Sequence, residues 1–92
     1  MSRIFYLSSF VKQLEKLRGK EARAVQEALV AFDYFVKTGE KAHGLGFKKL
    51  ASDQFEIRVD IRKRIVMKKI GEDYYLALYG NHEEIEHFLR KQ

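Results

Sequence analysis

The chain predicts an α+β domain with the element order βααββββα, and three observations carry that prediction. Apolar residues recur three or four positions apart from Phe10 to Val36, the mark of helices that bury one stripe. From Phe55 onward the period falls to two, with Phe55, Ile57 and Val59 alternating with Glu56, Arg58 and Asp60, the mark of a half-buried strand. Finally, 92 residues that are 46% hydrophobic, with seven Phe, five Tyr, no Pro and six Gly, suffice for one core rich in regular structure, so residues 1–92 form a single domain.

Arg3 to Leu7 is short, aromatic and β-branched, which suits an edge strand. Ser8 and Ser9 offer N-cap hydroxyls to a first helix that carries Phe10 or Val11, Leu14 and Leu17 and stops before Gly19. A second helix starts at Lys20 or Glu21, aligns Val25, Ala28, Leu29, Phe32, Phe35 and Val36, and ends at Thr38 and Gly39. The glycine-containing stretch Glu40 to Gly46 is the main loop. Strands follow at Phe47–Leu50, from Phe55, at Arg64–Ile70 and at Asp73–Tyr79, the last two joined by a tight turn near Gly71 and Glu72. Short links between successive strands argue for an antiparallel meander to which the N-terminal strand adds at an edge. Asn81 and Glu84 form a capping box for a closing helix whose apolar residues are Ile85, Phe88 and Leu89. The expected architecture is a two-helix hairpin and a C-terminal helix packed against one face of a curved antiparallel sheet.

Charge is placed unevenly. Residues 41–69 hold nine Lys and Arg against three acids, whereas the remainder holds nine against ten, so the formal +5 comes entirely from the central third. A surface of that kind attracts a polyanion. If Phe55, Ile57 and Val59 face the helices, then Glu56, Arg58 and Asp60 face away, together with basic residues of the following strand. Guanidinium groups there suit phosphate, and a tyrosine of the last strand can stack or donate; period two puts Tyr75, Ala77 and Tyr79 on one face of that strand and Tyr74, Leu76 and Leu78 on the other. Alternating charges on an exposed strand equally serve solubility.

His82 stands at the start of the last helix, where an imidazole of ordinary pKa, about 6.5, suits proton transfer at neutral pH. His43 in the loop and His87 in the last helix are the lesser candidates. The three His lack a zinc-site spacing and no Cys is present, so no metal and no cofactor are expected. Neither a leader peptide nor an 18-residue apolar run is visible, which predicts a cytoplasmic chain with no membrane partner.

The opening IFYLSSFVKQLEKL, the passage ending GLGFKKL, the pair FEIRVDIRKRIVM and the closing LALYGNHEEIEHFL together resemble the RelE/ParE superfamily of type II toxin–antitoxin toxins. The resemblance spans nearly the whole chain, and the ending is similar to the Gly-x-His-x-Glu-Leu/Ile close of the YafQ-like branch. It implies an endoribonuclease that cleaves mRNA, commonly on the ribosome, by activating a ribose 2′-hydroxyl without a metal, and that a cognate antitoxin protein neutralises. Arg58 and Arg64 would then bind the scissile phosphate and His82 would act as general acid or base. Lys48, Lys49, Arg62 and Lys68 would hold flanking phosphates, with Tyr79 beside them. Glu56 departs from the pattern, standing where some active members carry a basic residue, and the chain lacks the terminal aromatic that some members use. The same superfamily contains ParE-like poisons of DNA gyrase, which makes gyrase the alternative target, and a catalytically weak RNA-binding relic is the third reading.

Overall fold

A computed structural model describes residues 2–41 and 44–91. His43 lies outside the described residues. The elements are β1 (Ile4–Tyr6), α1 (Ser8–Lys16), α2 (Gly19–Thr38), β2 (Lys48–Ala51), β3 (Gln54–Arg58), β4 (Lys63–Ile70), β5 (Asp73–Asn81) and α3 (His82–Arg90), in the expected order. They build a single five-stranded sheet with spatial order β1-β5-β4-β3-β2.

Strands β2 to β5 are the antiparallel meander. β1 is not antiparallel: it pairs in parallel with β5, Ile4 beside Tyr74 and Tyr6 beside Leu76. Both helices of the hairpin and three strands separate these partners in the chain, so no tight turn imposes an antiparallel pairing. Beyond the end of β1 the side chain of Gln13 takes over. Its Nε2 donates to Tyr79 O at 2.7 Å and its Oε1 accepts from Tyr79 N at 3.0 Å, so one amide on α1 satisfies both backbone groups of that residue.

The helices form for the reasons their periodicity suggests, with differences at the ends. Leu7 occupies the N-cap of α1 without a side-chain bond, and Ser9 Oγ donates instead to Ala77 O at 3.3 Å, so Ser9 ties the helix to the sheet rather than capping it. α2 stops where Gly39 adopts φ 80°, a left-handed conformation that spares only glycine strain, and the Gly39 N–H donates to Phe35 O at 2.7 Å. Phe10 from α1 and Val25, Ala28 and Phe32 from α2 meet Ile57, Ile65, Met67, Tyr74, Leu76 and Tyr79 from the sheet in one core cluster.

A β-bulge decides which residues of β5 reach that core. Val66 pairs with Leu78 but Met67 pairs with Leu76, which leaves Ala77 as the extra residue. Strict alternation groups Tyr79 with Tyr75; the bulge breaks it and turns Tyr79 inward beside Ile65, in the same layer as Leu76. Tyr79 is only 5% exposed, and its hydroxyl donates to Glu21 Oε2 at 2.7 Å. Burial, and after it the bond to Glu21, pushes this phenol far above its ordinary pKa.

The expectation that all helices share one face is also corrected. Arg58, Arg64 and Gly80 are cross-strand partners, as are Glu56, Val66 and Leu78, and both rows face away from the α1–α2 hairpin. α3 folds back over this second face: Val66 and Ile85 are buried outside the main cluster, and a Cβ on Gly80 would lie 3.1 Å from Glu84 Cβ. Gly80 therefore permits the close return of the helix. The capping box forms as expected, with Asn81 Oδ1 accepting from Glu84 N and Glu84 Oε1 accepting from Asn81 N, each at 2.9 Å. We expect Asn81→Ala to lower stability by about 1 kcal/mol, read as a reduced urea midpoint with an unchanged slope.

Candidate functional site

α3 covers the second face only in part, and the uncovered remainder is a groove. Its floor is strand: Lys48 and Leu50 of β2, Glu56 of β3 and Arg64 of β4. One wall is α3, with His82, Glu83, Ile85, Glu86 and Leu89, and the turn between β3 and β4 contributes Ile61 and Arg62. Four of the residues singled out in the sequence, Lys48, Arg62, Arg64 and His82, thus line one concavity, although they come from three separate parts of the chain.

Arg64 is the best-fixed of them. Its Nε donates to Glu56 Oε2 at 3.2 Å, and its Nη1 donates to Asp60 O at 2.9 Å and Lys63 O at 3.3 Å. The pair is half-buried, with side-chain exposures of 24% for Arg64 and 14% for Glu56. These bonds occupy the Nε–H and both hydrogens of Nη1, so Nη2 is the donor left for a ligand. A guanidinium held in this way is preorganised and loses little freedom on gripping an anion. Glu56, a departure when read from sequence, proves to be the carboxylate that holds the arginine. Its position diagonal to Arg64 across a hairpin was the available signal, since opposite charges on neighbouring strands pair in that arrangement.

His82 sits at the rim. Its Nε2 lies 2.9 Å from Glu86 Oε1 one turn on, and its side chain is 84% exposed. Nε2 is thus the ring nitrogen beside a carboxylate, and Nδ1 is the second nitrogen that the imidazole carries.

The other candidates lie elsewhere. Arg58 is the cross-strand partner of Arg64, yet it ends β3 under the segment 44–46: its N–H donates to Leu45 O at 2.9 Å, and a Cβ on Gly46 would come within 2.9 Å of Arg58 Cβ. It borders a shallow recess with Gly44 and Ala28 and does not line the groove. Lys49 pairs with Phe55 and so belongs to the opposite side of the sheet from Lys48. Lys68 shares the second face but stands further along it, beside Tyr75, with Nζ 3.7 Å from Asp53 Oδ2. Tyr79 is in the core, because of the bulge, and cannot stack on a ligand there.

Positive charge is therefore less concentrated than the sequence suggests. Lys48, Arg62 and Arg64 meet Glu56, Glu83 and Glu86 in the groove, while Lys63 and Lys69 lie over the rings of Tyr79 and Tyr74. Strand alternation divides the basic run between two faces, and α3 brings acids from far along the chain. Among the described residues no cluster of three or more His, Asp or Glu is placed to hold a metal ion, and no helix is long and apolar enough to cross a membrane.

This arrangement, a helical hairpin on one face of a five-stranded mixed sheet and a short C-terminal helix on the other, is similar in fold to solved structures of YafQ, RelE and YoeB/ParE toxins. The chain superimposes on YafQ in the E. coli DinJ–YafQ complex with a TM-score of 0.68 at 15% identity, covering 89% of this chain and 94% of that one. The RelB–RelE antitoxin–toxin complex from Methanococcus jannaschii gives 0.65 at 15% identity over 91% and 96%. The YoeB/ParE toxin from Agrobacterium tumefaciens gives 0.64 at 15% identity over 87% and 98%. At this identity the likeness is one of fold. No protein-family model matches the sequence, and no curated protein matches it either.

Proposed function

We propose that this protein is the toxin of a type II toxin–antitoxin pair and acts as an endoribonuclease on mRNA, on the ribosome, without a metal or cofactor. The observation that carries this reading is the meeting, in one groove, of a clamped arginine and an exposed histidine. Arg64 Nη2 donates to a nonbridging oxygen of the scissile phosphate and stabilises the extra negative charge of the pentacoordinate state. The substrate's own 2′-oxygen attacks phosphorus and loses its proton to the free oxygen of Glu56. The P–O5′ bond breaks, and His82 supplies a proton from Nδ1 to the departing 5′-oxygen. The products are a 2′,3′-cyclic phosphate and a 5′-hydroxyl. Lys48 and Arg62 hold neighbouring phosphates and give affinity that falls with salt. The fold's presence in toxin–antitoxin complexes supports a cognate antitoxin as the protein partner.

The test is to incubate the purified chain with mRNA, alone and on ribosomes, in the presence of a chelator. We expect cleavage that leaves cyclic phosphate ends and that fails in His82→Ala. Intact transcripts together with gyrase-dependent DNA breaks after induction would overturn the reading in favour of a gyrase poison, and RNA binding without cleavage or growth arrest would reduce the chain to a binding relic.

A further inference from the structure

Ile61 is the most exposed large apolar side chain among the described residues, 88% exposed at the tip of the β3–β4 turn. A single isoleucine at a surface is ordinary. Two features set this one apart. The turn that displays it is pinned from both sides: Val59 N and Asp60 N donate to Lys63 O at 3.0 and 3.3 Å, and Asp60 Oδ1 accepts from Arg62 N and Lys63 N, both at 2.8 Å. In addition, Ile61 lines the same groove as Leu50, Ile85 and Leu89, where the cations Lys48, Arg62 and Arg64 alternate with the carboxylates Glu56, Glu83 and Glu86.

We infer that Ile61 is a wedge that packs against the nucleobase beside the scissile phosphate and opens the base stack at the step to be cleaved. The inference rests on the ribonuclease reading above. A single-stranded RNA presents flat apolar faces and regularly spaced phosphates, so an exposed apolar side chain can meet a base while nearby cations meet the phosphates on either side of it. A stacked step also holds its 2′-oxygen away from the line opposite the departing 5′-oxygen, so the step must be splayed before attack, and an apolar side chain inserted beside a base does this. Arg64 donates to Asp60 O, the carbonyl adjoining Ile61. The group that grips the phosphate is thereby bonded to the turn that carries the group that displaces the base.

The experiment uses the full chain and a single-stranded RNA oligonucleotide bearing 2-aminopurine beside a cleavage step, with a 2′-deoxy sugar at that step to block the reaction. On binding of the wild type the fluorescence should rise as the reporter base leaves its stack. Ile61→Ala should abolish the rise, weaken binding about tenfold and lower kcat/KM on the all-ribose oligonucleotide, with an unchanged melting temperature. Ile61→Leu should restore all of these. If Ile61→Ala unstacks, binds and cleaves as the wild type does, the wedge is overturned while the ribonuclease reading stands. If the wild type neither binds nor cleaves, both fall. If Ile61→Ala changes only neutralisation by the antitoxin in cells, the side chain belongs to a protein interface and the wedge is overturned.

Discussion

Replacing Arg64 by alanine should reduce RNA cleavage by about 10²- to 10³-fold, the range seen when a preorganised donor to a developing oxyanion is removed. The loss should appear in kcat with little change in KM, because Nη2 matters most when the phosphate gains charge. Stability should fall as well. Glu56, 14% exposed in the folded chain, would keep its burial and lose its partner, at a cost of about 1–3 kcal/mol. Circular dichroism and thermal unfolding separate the two effects, since the fold should survive and only its midpoint decline. Arg64→Lys distinguishes charge from placement. A lysine keeps the charge but cannot reproduce the bonds to Glu56, Asp60 O and Lys63 O together, so we expect it to recover only a small part of the activity. Wild-type cleavage by Arg64→Ala would remove the arginine from the mechanism.

The second large effect concerns the core. Phe32 is 0% exposed and stands at the centre of an aromatic group, 5.2 Å from Tyr74, 5.9 Å from Phe47 and 6.3 Å from Phe35 between ring centroids. These rings join α2 to β5 and to the residue just before β2, so Phe32→Ala opens a cavity where three elements meet. A destabilisation of about 3–5 kcal/mol is expected, measured by urea unfolding. Against the few kcal/mol that separate a domain of this size from its unfolded state, that is enough to leave much of the chain unfolded at 37 °C. A shift under about 1 kcal/mol would show that the site collapses around the smaller side chain.

These two predictions differ in how far sequence alone supports them. The helical hairpin and the meander are legible because their periods are unmistakable, and Phe32 sits on the apolar stripe that the period of α2 marks. The direction of β1 is not legible, for it depends on a pairing across most of the chain. Nor is the bulge at Ala77: Leu76, Ala77 and Leu78 are all apolar, so hydropathy has no alternation to lose there, and Tyr79 is assigned to the wrong face. Arg64 and His82 stand out in the sequence as a strand arginine and a helix-start histidine. What the sequence does not disclose is the clamp on Arg64, since Glu56 reads there as an outlier. Arg58 looks equivalent to Arg64 by parity and is its cross-strand partner, but it ends β3 against the segment 44–46 and does not line the groove, and no local pattern encodes the path of that segment. The near-neutral charge of the groove is hidden for a similar reason, because Glu83 and Glu86 reach it only when α3 turns back.

The amide of Gln13 has a consequence for how this molecule meets others. An open strand end offers unpaired N–H and C=O groups to any extended chain that passes, and sheets grow into aggregates from such places. On the β5 side, β1 covers only three residues, and the backbone of Tyr79 beyond it would be such an invitation. Gln13 fills that place as a strand's peptide group would, from a helix that cannot itself be extended into the sheet. At the opposite margin β2 is four residues long and begins with two lysines, a short and charged edge that discourages chance pairing. Two small devices thus limit chance growth of the sheet: one side-chain amide closes the part of β5 that β1 leaves open, and a pair of ammonium groups charges the edge at β2.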